Sequence, residues 1–351
     1  MSRRNALLAG VLVVTLAAGV SHFADADPVL TFFVAAAALA GLAWVISIAT
    51  ESVGERFGPA VTGVLQSTLG NLPELFIVLF ALSAGEVVVA KTSIVGSLLA
   101  NALLVLGLAI IAGARASGDG VMRFRPRLPN DTATLLLLAV FIIVLLGLSD
   151  TVGDRASGHQ VTISAIGAVC LLGVYGTWLW SYLRSDKSLE PAIEGGVRSA
   201  LPFTTAIVLL ALAGASAALV SDWFVDALDP AVEALGISKA FTGLVIVAIA
   251  GNAVENVVGI TLAAKGQSDL AISVVKNSVA QIAVFVFPAL VLLSLLFEHR
   301  LTFVLGPVYI GALALTALAI WQITGDGEAY LFEGCALVAL YIILAVLTWY
   351  E

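Results

Sequence analysis

Two carboxylates stand where the surrounding chain is least suited to hold them. Glu74 closes the stretch Gly70-Asn71-Leu72-Pro73-Glu74, and Glu255 closes Gly251-Asn252-Ala253-Val254-Glu255, each within residues apolar enough to lie in lipid. An ionisable group at such depth is costly to keep and marks an ion or proton pathway by default. Further along, Ser93-Ile94-Val95-Gly96-Ser97-Leu98-Leu99-Ala100-Asn101 aligns without gaps to Ser273-Val274-Val275-Lys276-Asn277-Ser278-Val279-Ala280-Gln281. Ser93, Ser97 and Asn101 recur four apart, as do Ser273, Asn277 and Gln281. Each trio therefore shares one helix face, suited to line an interior, with Ser278 beside the second. Such side chains also serve as plain glue between membrane helices; beside a matched carboxylate pair, a site is favoured.

The chemistry these groups offer is hard and oxygen-based. Gly70-Asn71 and Gly251-Asn252 each precede a glutamate by about one turn, and Pro73 removes a backbone donor, so both places can unwind and turn carbonyl oxygens toward a cavity. Two carboxylates, amide and hydroxyl oxygens and loosened carbonyls suit Ca²⁺, which takes about 6–8 oxygens, whereas Zn²⁺ asks for nitrogen or sulfur. Left empty, two ionised carboxylates in a low dielectric are unfavourable, so the site holds either a divalent cation or protons. Mutually exclusive occupancy of one site is antiport. No cofactor is expected, and Ca²⁺ enters as the transported substrate.

The rest of the chain is what must position them. Of 351 residues, 60% are hydrophobic and 11% charged, with a mean hydropathy of +1.08, more apolar surface than a soluble core could hide. An all-α polytopic membrane protein follows. The net charge of −8 argues against a nucleic-acid partner. Cys170 and Cys335 lie in apolar runs and indicate neither disulfides nor a thiolate metal site. His22, His159 and His299 fall near segment ends, and no His-Glu-x-x-His pairing or nucleophile-base triad is present, so an enzyme is not indicated.

A bilayer core of about 30 Å needs about 20 apolar residues per helix. Eleven such segments are read, near 5–23, 29–49, 60–83, 89–114, 132–149, 160–183, 200–221, 240–264, 270–297, 301–323 and 329–350. The first, preceded by Arg3-Arg4 and followed by Ala24-Asp25-Ala26, reads as a retained helix in preference to a secretory signal. Domain boundaries follow: a leading helix (1–27), a five-helix repeat (28–184), a cytoplasmic connection (185–199) and a second five-helix repeat (200–351). With the amino terminus inside, Arg3, Arg4, Arg56, Arg115, Arg123, Arg125, Arg127, Arg184, Lys187, Arg198 and Lys265 face the cytoplasm, and only Lys91, Arg155, Lys239 and Arg300 face outward. The expectation is a multi-pass cell (inner) membrane protein whose carboxyl terminus lies outside.

Repeats of five spans start on opposite sides of the membrane, so the two must be inverted about an axis in its plane. Both carboxylates fall in the second span of their repeat and both polar trios in the third, and inversion brings those four spans to one central site.

These residues resemble the calcium/proton antiporters of the cation/proton exchanger family, within the calcium/cation antiporter superfamily. The likeness rests on Gly70-Asn71-Leu72-Pro73-Glu74-Leu75-Phe76 with Val95-Gly96-Ser97-Leu98-Leu99-Ala100-Asn101, and on Gly251-Asn252-Ala253-Val254-Glu255-Asn256 with Ser278-Val279-Ala280-Gln281-Ile282-Ala283. The resemblance implies that Glu74 and Glu255 alternate between Ca²⁺ and protons, with carbonyls near Gly70 and Gly251 completing the coordination. Asn71 and Asn252 match the asparagine of each Gly-Asn motif, and Asn101 and Gln281 stand beside the glutamates as polar partners. It also implies that an element containing the first repeat's leading span slides against the central four.

Three features depart from the family pattern. Asn277-Ser278-Val279-Ala280-Gln281 replaces a Gly-Ser-Ser-x-Gln type, and Asn256 stands where many members carry His, a proton-relay group. Lys276 is a cation inside a span. It either snorkels to the cytoplasmic interface or acts as a standing counter-charge to a glutamate; lying about 100° from Asn277, off the polar face, it favours snorkelling. Glu51 and Glu55 end the second span as loop acids or an entry funnel, and Glu86 with Asp222, Asp226, Asp229 and Glu233 stand similarly on the outer side.

The expected function is export of cytoplasmic Ca²⁺ in exchange for external protons. A sodium-coupled exchanger of the same superfamily is the alternative, with a cation channel behind it, since one chain with a completed repeat needs no filter ring. A homo-oligomer is left open.

Overall fold

The computed structural model describes residues 3–54, 56, 65, 68–125, 127–184 and 201–351, and among these the side chains of residues 3, 127–129, 182–184, 254 and 255 are left undescribed. The chain is built of helices: α1 (Arg3–Phe23), α2 (Pro28–Gly54), α3 (Leu72–Ser83), α4 (Val87–Ser117), α5 (Arg127–Val152), α6 (Gln160–Arg184), α7 (Phe203–Leu235), α8 (Lys239–Gly251), α9 (Ala253–Ala264), α10 (Ser268–Ser294), α11 (Pro307–Thr324) and α12 (Leu331–Trp349). Two short strands, β1 (Val121–Arg123) and β2 (Glu328–Tyr330), pair antiparallel. Among the described residues nine helices are long and apolar enough to cross a membrane, ten if α8 and α9 form one broken span. The architecture is that of an all-α polytopic membrane protein. Its outer faces are apolar, as on α5, where Phe141, Leu145 and Leu148 line one exposed stripe and ask for lipid as solvent.

The elements differ from the sequence expectation at three places. The third segment, expected over 60–83, is described from Leu72, its earlier part lying outside the described residues. The seventh, expected over 200–221, continues as helix to Leu235 through Pro230. There the apolar stretch ends but the amphipathic pattern does not: Phe224, Val225, Leu228, Ala231 and Val232 are buried while Asp222, Asp226, Asp229 and Glu233 stay exposed at helical spacing. The tenth is expected from 301, yet Leu301–Leu305 are buried without being helical, and the helix starts at Pro307. Hydroxyls take the place of helical acceptors there: the Leu301 amide donates to Ser294 Oγ (2.9 Å) and the Phe303 amide to Ser164 Oγ (3.1 Å). Proline at the first helical position, with its fixed φ, sets the start.

The helices gather into two compact units. One comprises residues 1–93, 187–254 and 349–351, the other 94–186 and 255–348, so each draws segments from both halves of the sequence.

In the first unit α2 and α7 lie against each other, with Phe32 and Phe224 stacked at 4.7 Å between ring centres. α1 braces both: a Cβ on Gly41 would fall 2.9 Å from Val11 and one on Gly19 3.0 Å from Trp223. The turns before α4 and before α8 are joined on one face, where the Lys239 ammonium donates to both oxygens of Glu86 (2.8 and 2.7 Å) and lies 2.7 Å from Asp229.

In the second unit the backbones of α4 and α12 meet. A Cβ on Gly107 would sit 2.7 Å from the Gly334 carbonyl oxygen, and one on Gly334 2.7 Å from the Gly107 oxygen. The β1–β2 ribbon gathers the turns before α5 and before α12, and Arg125 ties in the turn before α10 by donating its amide to Asp269 Oδ1 at 2.6 Å. Arg123 pairs with Asp119 (2.6 Å) and Glu328 (3.3 Å). The Arg123 guanidinium holds the Asp119 carboxyl down at about 2. Its folded value lies below its unfolded one, so the pair contributes above the ordinary carboxylate range and is lost only as pH falls toward 2; being exposed, it contributes little.

The mutual approach of Gly107 and Gly334 gives a direct test. Because the obstructing atoms are backbone oxygens, Gly107→Ala and Gly334→Ala each lower stability by about 1–3 kcal/mol, read as a lower melting temperature in detergent. Gly10→Ala, with open space around it, does not.

Candidate functional site

Each Gly-Asn motif is a helix break. Asn71 (φ −86°, ψ 7°) precedes α3 and Asn252 (φ −105°, ψ 14°) separates α8 from α9, both in the sparsely allowed bridge region. Asn252 stabilises its break itself, Nδ2 donating to the Ala248 carbonyl oxygen at 3.0 Å. Pro73 sits in the first turn of α3, where its missing N–H costs nothing. The consequence is the same in both copies: Glu74 and Glu255 are each the third residue of a helix that begins at the break. A carboxylate in that first turn meets the positive end of the helix dipole, which is favourable to negative charge.

Glu74 is 1% exposed and Asn71 and Asn252 nearly as buried. The decisive contact is with the other motif, since a Cβ on Gly251 would lie 3.7 Å from Cβ of Glu74. The first glutamate thus rests on the backbone of the second Gly-Asn motif. Gly70 is half-buried just before the break. The side chain of Glu255 lies outside the described ones; its backbone opens α9.

The polar trios are positioned by the third spans. Ser93, Ser97 and Asn101 are all within 1% of full burial, and Asn101 Nδ2 donates to Ser278 Oγ at 3.2 Å, joining the two series across the repeats. Asn277, half-buried, donates to Ser273 Oγ at 3.4 Å, and Gln281 is buried. Both spans then widen into π-helix, over Ala100–Val105 and over Ile282–Val286, beginning within one residue of Asn101 and of Gln281. A third π-turn, Thr242–Val247, precedes Gly251, and Gly243 lets its backbone approach Thr92 and the Ser93 amide. π-turns concentrate at functional sites because they displace the ladder by one residue and re-aim side chains. A four-residue spacing presumes continuous α-helix and carries no signal for them.

Lys276 does not snorkel. It is 4% exposed, and its amine donates to Thr324 Oγ1 at 2.6 Å inside the protein. The side chain does reach along the span toward the end of α11, but it stops at a buried hydroxyl before any water. Glu51 is half-buried near the end of α2, and Glu55 lies outside the described residues. Of the acids expected on the outer side, Glu86 and Asp229 are both held by Lys239, so this part of the expected funnel is engaged in ion pairs. Among the described residues no three His, Cys, Asp or Glu side chains cluster as a metal site.

Helices broken at matched places in the two halves, each restarting on a carboxylate among apolar spans, define a secondary transporter of the ion-exchanger class. The chain belongs to the sodium/calcium exchanger protein family, whose model matches residues 28–183 and 205–350. A Ca²⁺/H⁺ antiporter of Aphanothece halophytica is 30% identical, aligned over 99% of this chain and 97% of its own length. The structure of native YfkE superposes with a TM-score of 0.82 at 27% identity, covering 98% of this chain and 100% of that one. A sodium-calcium exchanger, NCX_Mj, shares the fold less closely, with a TM-score of 0.58 at 20% identity over 91% of this chain and 98% of its own.

The Gly251 contact predicts a graded series. Gly251→Ala adds a methyl at ordinary van der Waals distance from Glu74 and keeps near-wild-type thermal stability. Gly251→Leu drives a branched side chain into the same space and costs about 1–3 kcal/mol, seen as a lower melting temperature.

Proposed function

We propose that the protein exports Ca²⁺ from the cytoplasm in exchange for protons at one central site built from Glu74 and Glu255. The observation that supports the reading is the approach of Glu74 to Gly251, where a Cβ added to the glycine would lie 3.7 Å from Cβ of Glu74, so that the first glutamate stands beside the second motif. Inverted repeats supply the second carboxylate from the opposite direction. Carbonyl oxygens near Gly70 and Gly251, loosened by the breaks at Asn71 and Asn252, complete an oxygen-only shell for Ca²⁺. Ser97, Asn101, Asn277, Ser278 and Gln281 hold the walls of that site through bonds such as Asn101 to Ser278.

Exchange follows from electrostatics. Two ionised carboxylates sharing one site of low dielectric repel each other, so the empty, doubly ionised state is disfavoured. Ca²⁺ relieves the repulsion in one half of the cycle and protons in the other. The helix-terminal position of each glutamate keeps the proton-free form accessible, so Ca²⁺ can displace protons. The similar antiporter of Aphanothece halophytica is named for the same pair of ions, which supports protons over sodium as the counter-ion. The α2 and α7 pair forms the element that slides to alternate access, with the amino terminus in the cytoplasm and Glu351 outside.

The test is ⁴⁵Ca²⁺ uptake into proteoliposomes under an imposed pH gradient or an imposed Na⁺ gradient. Uptake follows the pH gradient, and uptake driven only by sodium would overturn proton coupling. Glu74→Gln and Glu255→Gln each reduce uptake to the protein-free background while the protein still inserts; retained exchange in either variant removes that residue from the site.

A further inference from the structure

We propose that the groove between the start of α5 and the end of α11 is a binding site for a phospholipid with a primary-amine headgroup, phosphatidylethanolamine. The site stands apart from the exchange reading and is tested without it.

α5 and α11 pack along each other in opposite directions. A Cβ on Gly147, near the end of α5, would meet Ile310 in the first turn of α11, while Asn130 in the first turn of α5 shares a groove with Gln322 in the last turn of α11. The 26 residues of α5 reach about 39 Å at 1.5 Å per residue, against about 30 Å of hydrocarbon, so the end turns of α5 stand at headgroup level. There the two helices leave a cavity of about 390 Å³, lined by Asn130 and Thr134 from α5, by Trp321 and Gln322 from α11, and by Gly325 and Asp326 from the turn that follows. Small-molecule sites commonly measure about 300–1,000 Å³, so the space suits a headgroup. Every lining residue but Gly325 is exposed, which leaves the groove open to whatever surrounds the protein.

The residues next along each helix say what fills it. On α5, Thr134, Phe141 and Leu148 recur seven apart with Leu145 on the same stripe, and on α11 Leu315 and Gln322 are seven apart with Leu318 between them. Phe141, Leu145, Leu148, Leu315 and Leu318 are all exposed, so each apolar stripe ends on a polar side chain of the groove. An occupant that follows both stripes and enters the groove has apolar chains attached to a polar head, which describes a phospholipid and not a soluble metabolite. Charge then selects the head. Among the described residues lining the groove Asp326 is the charged one, and its Oδ1 accepts the Glu328 amide at 3.1 Å, which orients the carboxylate and leaves Oδ2 to a ligand. The Trp321 ring, 54% exposed in the same groove, adds a face that attracts a cation, and tryptophan is common at this level of a membrane. A primary ammonium brings three N–H donors to the carboxylate, which a quaternary choline lacks, and an anionic head would be repelled. The side-chain amides of Asn130 and Gln322 supply donors for the phosphate of the same head.

The experiment titrates the full-length protein, delipidated in detergent, with phosphatidylethanolamine, phosphatidylcholine and phosphatidylglycerol of one acyl composition and with free phosphoethanolamine, reading bound molecules by native mass spectrometry. Wild type is expected to bind the ethanolamine lipid about fivefold or more tighter than the other two, the worth of one engaged charge near a membrane surface. Free phosphoethanolamine, which lacks the chains that follow the stripes, binds at least about tenfold more weakly than the lipid. Asp326→Asn keeps the oxygen that accepts from Glu328, removes only the charge, and brings the three lipids to within about twofold of one another. Trp321→Leu weakens the ethanolamine lipid by about two- to fivefold, and it carries the test if Asp326→Asn is not recovered as a folded protein. Asp119→Asn, which removes a carboxylate elsewhere on the ribbon face, leaves the preference as in wild type. Equal affinities for the three lipids in wild type, a preference that survives Asp326→Asn, or undiminished binding in Trp321→Leu would each overturn the site. Phosphoethanolamine bound as tightly as the lipid would overturn the phospholipid as occupant, and a preference lost equally in Asp119→Asn would overturn the groove as its location.

Discussion

A carboxylate buried at the depth of a lipid bilayer must be compensated, and the form of the compensation at Glu74 organises the rest of the molecule. The side chain is 1% exposed, stands in the first turn of a helix and rests on the backbone of Gly251. Each circumstance asks something of the fold. A helix can start inside a span only if the preceding one is broken, which Asn71 and Asn252 do with the same backbone conformation. At Gly251 the second broken helix comes against the first glutamate, where an added Cβ would stand at ordinary van der Waals distance, 3.7 Å, from that of Glu74. The matched breaks, the small residue and the carboxylate are therefore one device seen from three sides.

The two units carry different loads. In the first, α2 and α7 pack along each other with α1 across both, and Lys239 between Glu86 and Asp229 fixes one set of turns. In the second, the glycine contact of α4 with α12 and the ribbon at Arg123 and Glu328 fix a feature of another kind, a tight interior with polar groups inside it. Asn101, Ser278, Gln281 and Lys276 all belong to that interior. Widening into π-helix beside Asn101 and Gln281 shifts the register of the backbone ladder there and re-aims the side chains that follow.

Much of this is legible in the order of the amino acids. Gly-Asn before Glu, with Pro73 in one copy, announces helix breaks because those residues withdraw or weaken backbone bonds. The gapless match of the two polar stretches announces their shared role. What escapes the sequence does so for physical reasons. α7 outlasts its apolar stretch because hydropathy counts charges that amphipathic packing tolerates on an outer face, and Leu301–Leu305 read as span because burial without helix leaves the same composition. Helical phase alone sends Lys276 to water, whereas the deciding partner, Thr324, is 48 residues away in the chain. The π-turns leave no periodic trace at all, since the register shifts within a few residues.

The central claim is that Ca²⁺ and protons occupy the same carboxylates and exclude each other. It is tested most directly by counting the protons released when Ca²⁺ is added to the purified, weakly buffered protein at a pH where the empty site is protonated. Mutual exclusion predicts stoichiometric release that saturates with Ca²⁺ occupancy and is reduced in Glu74→Gln. Ca²⁺ binding of undiminished affinity with no proton release would contradict it.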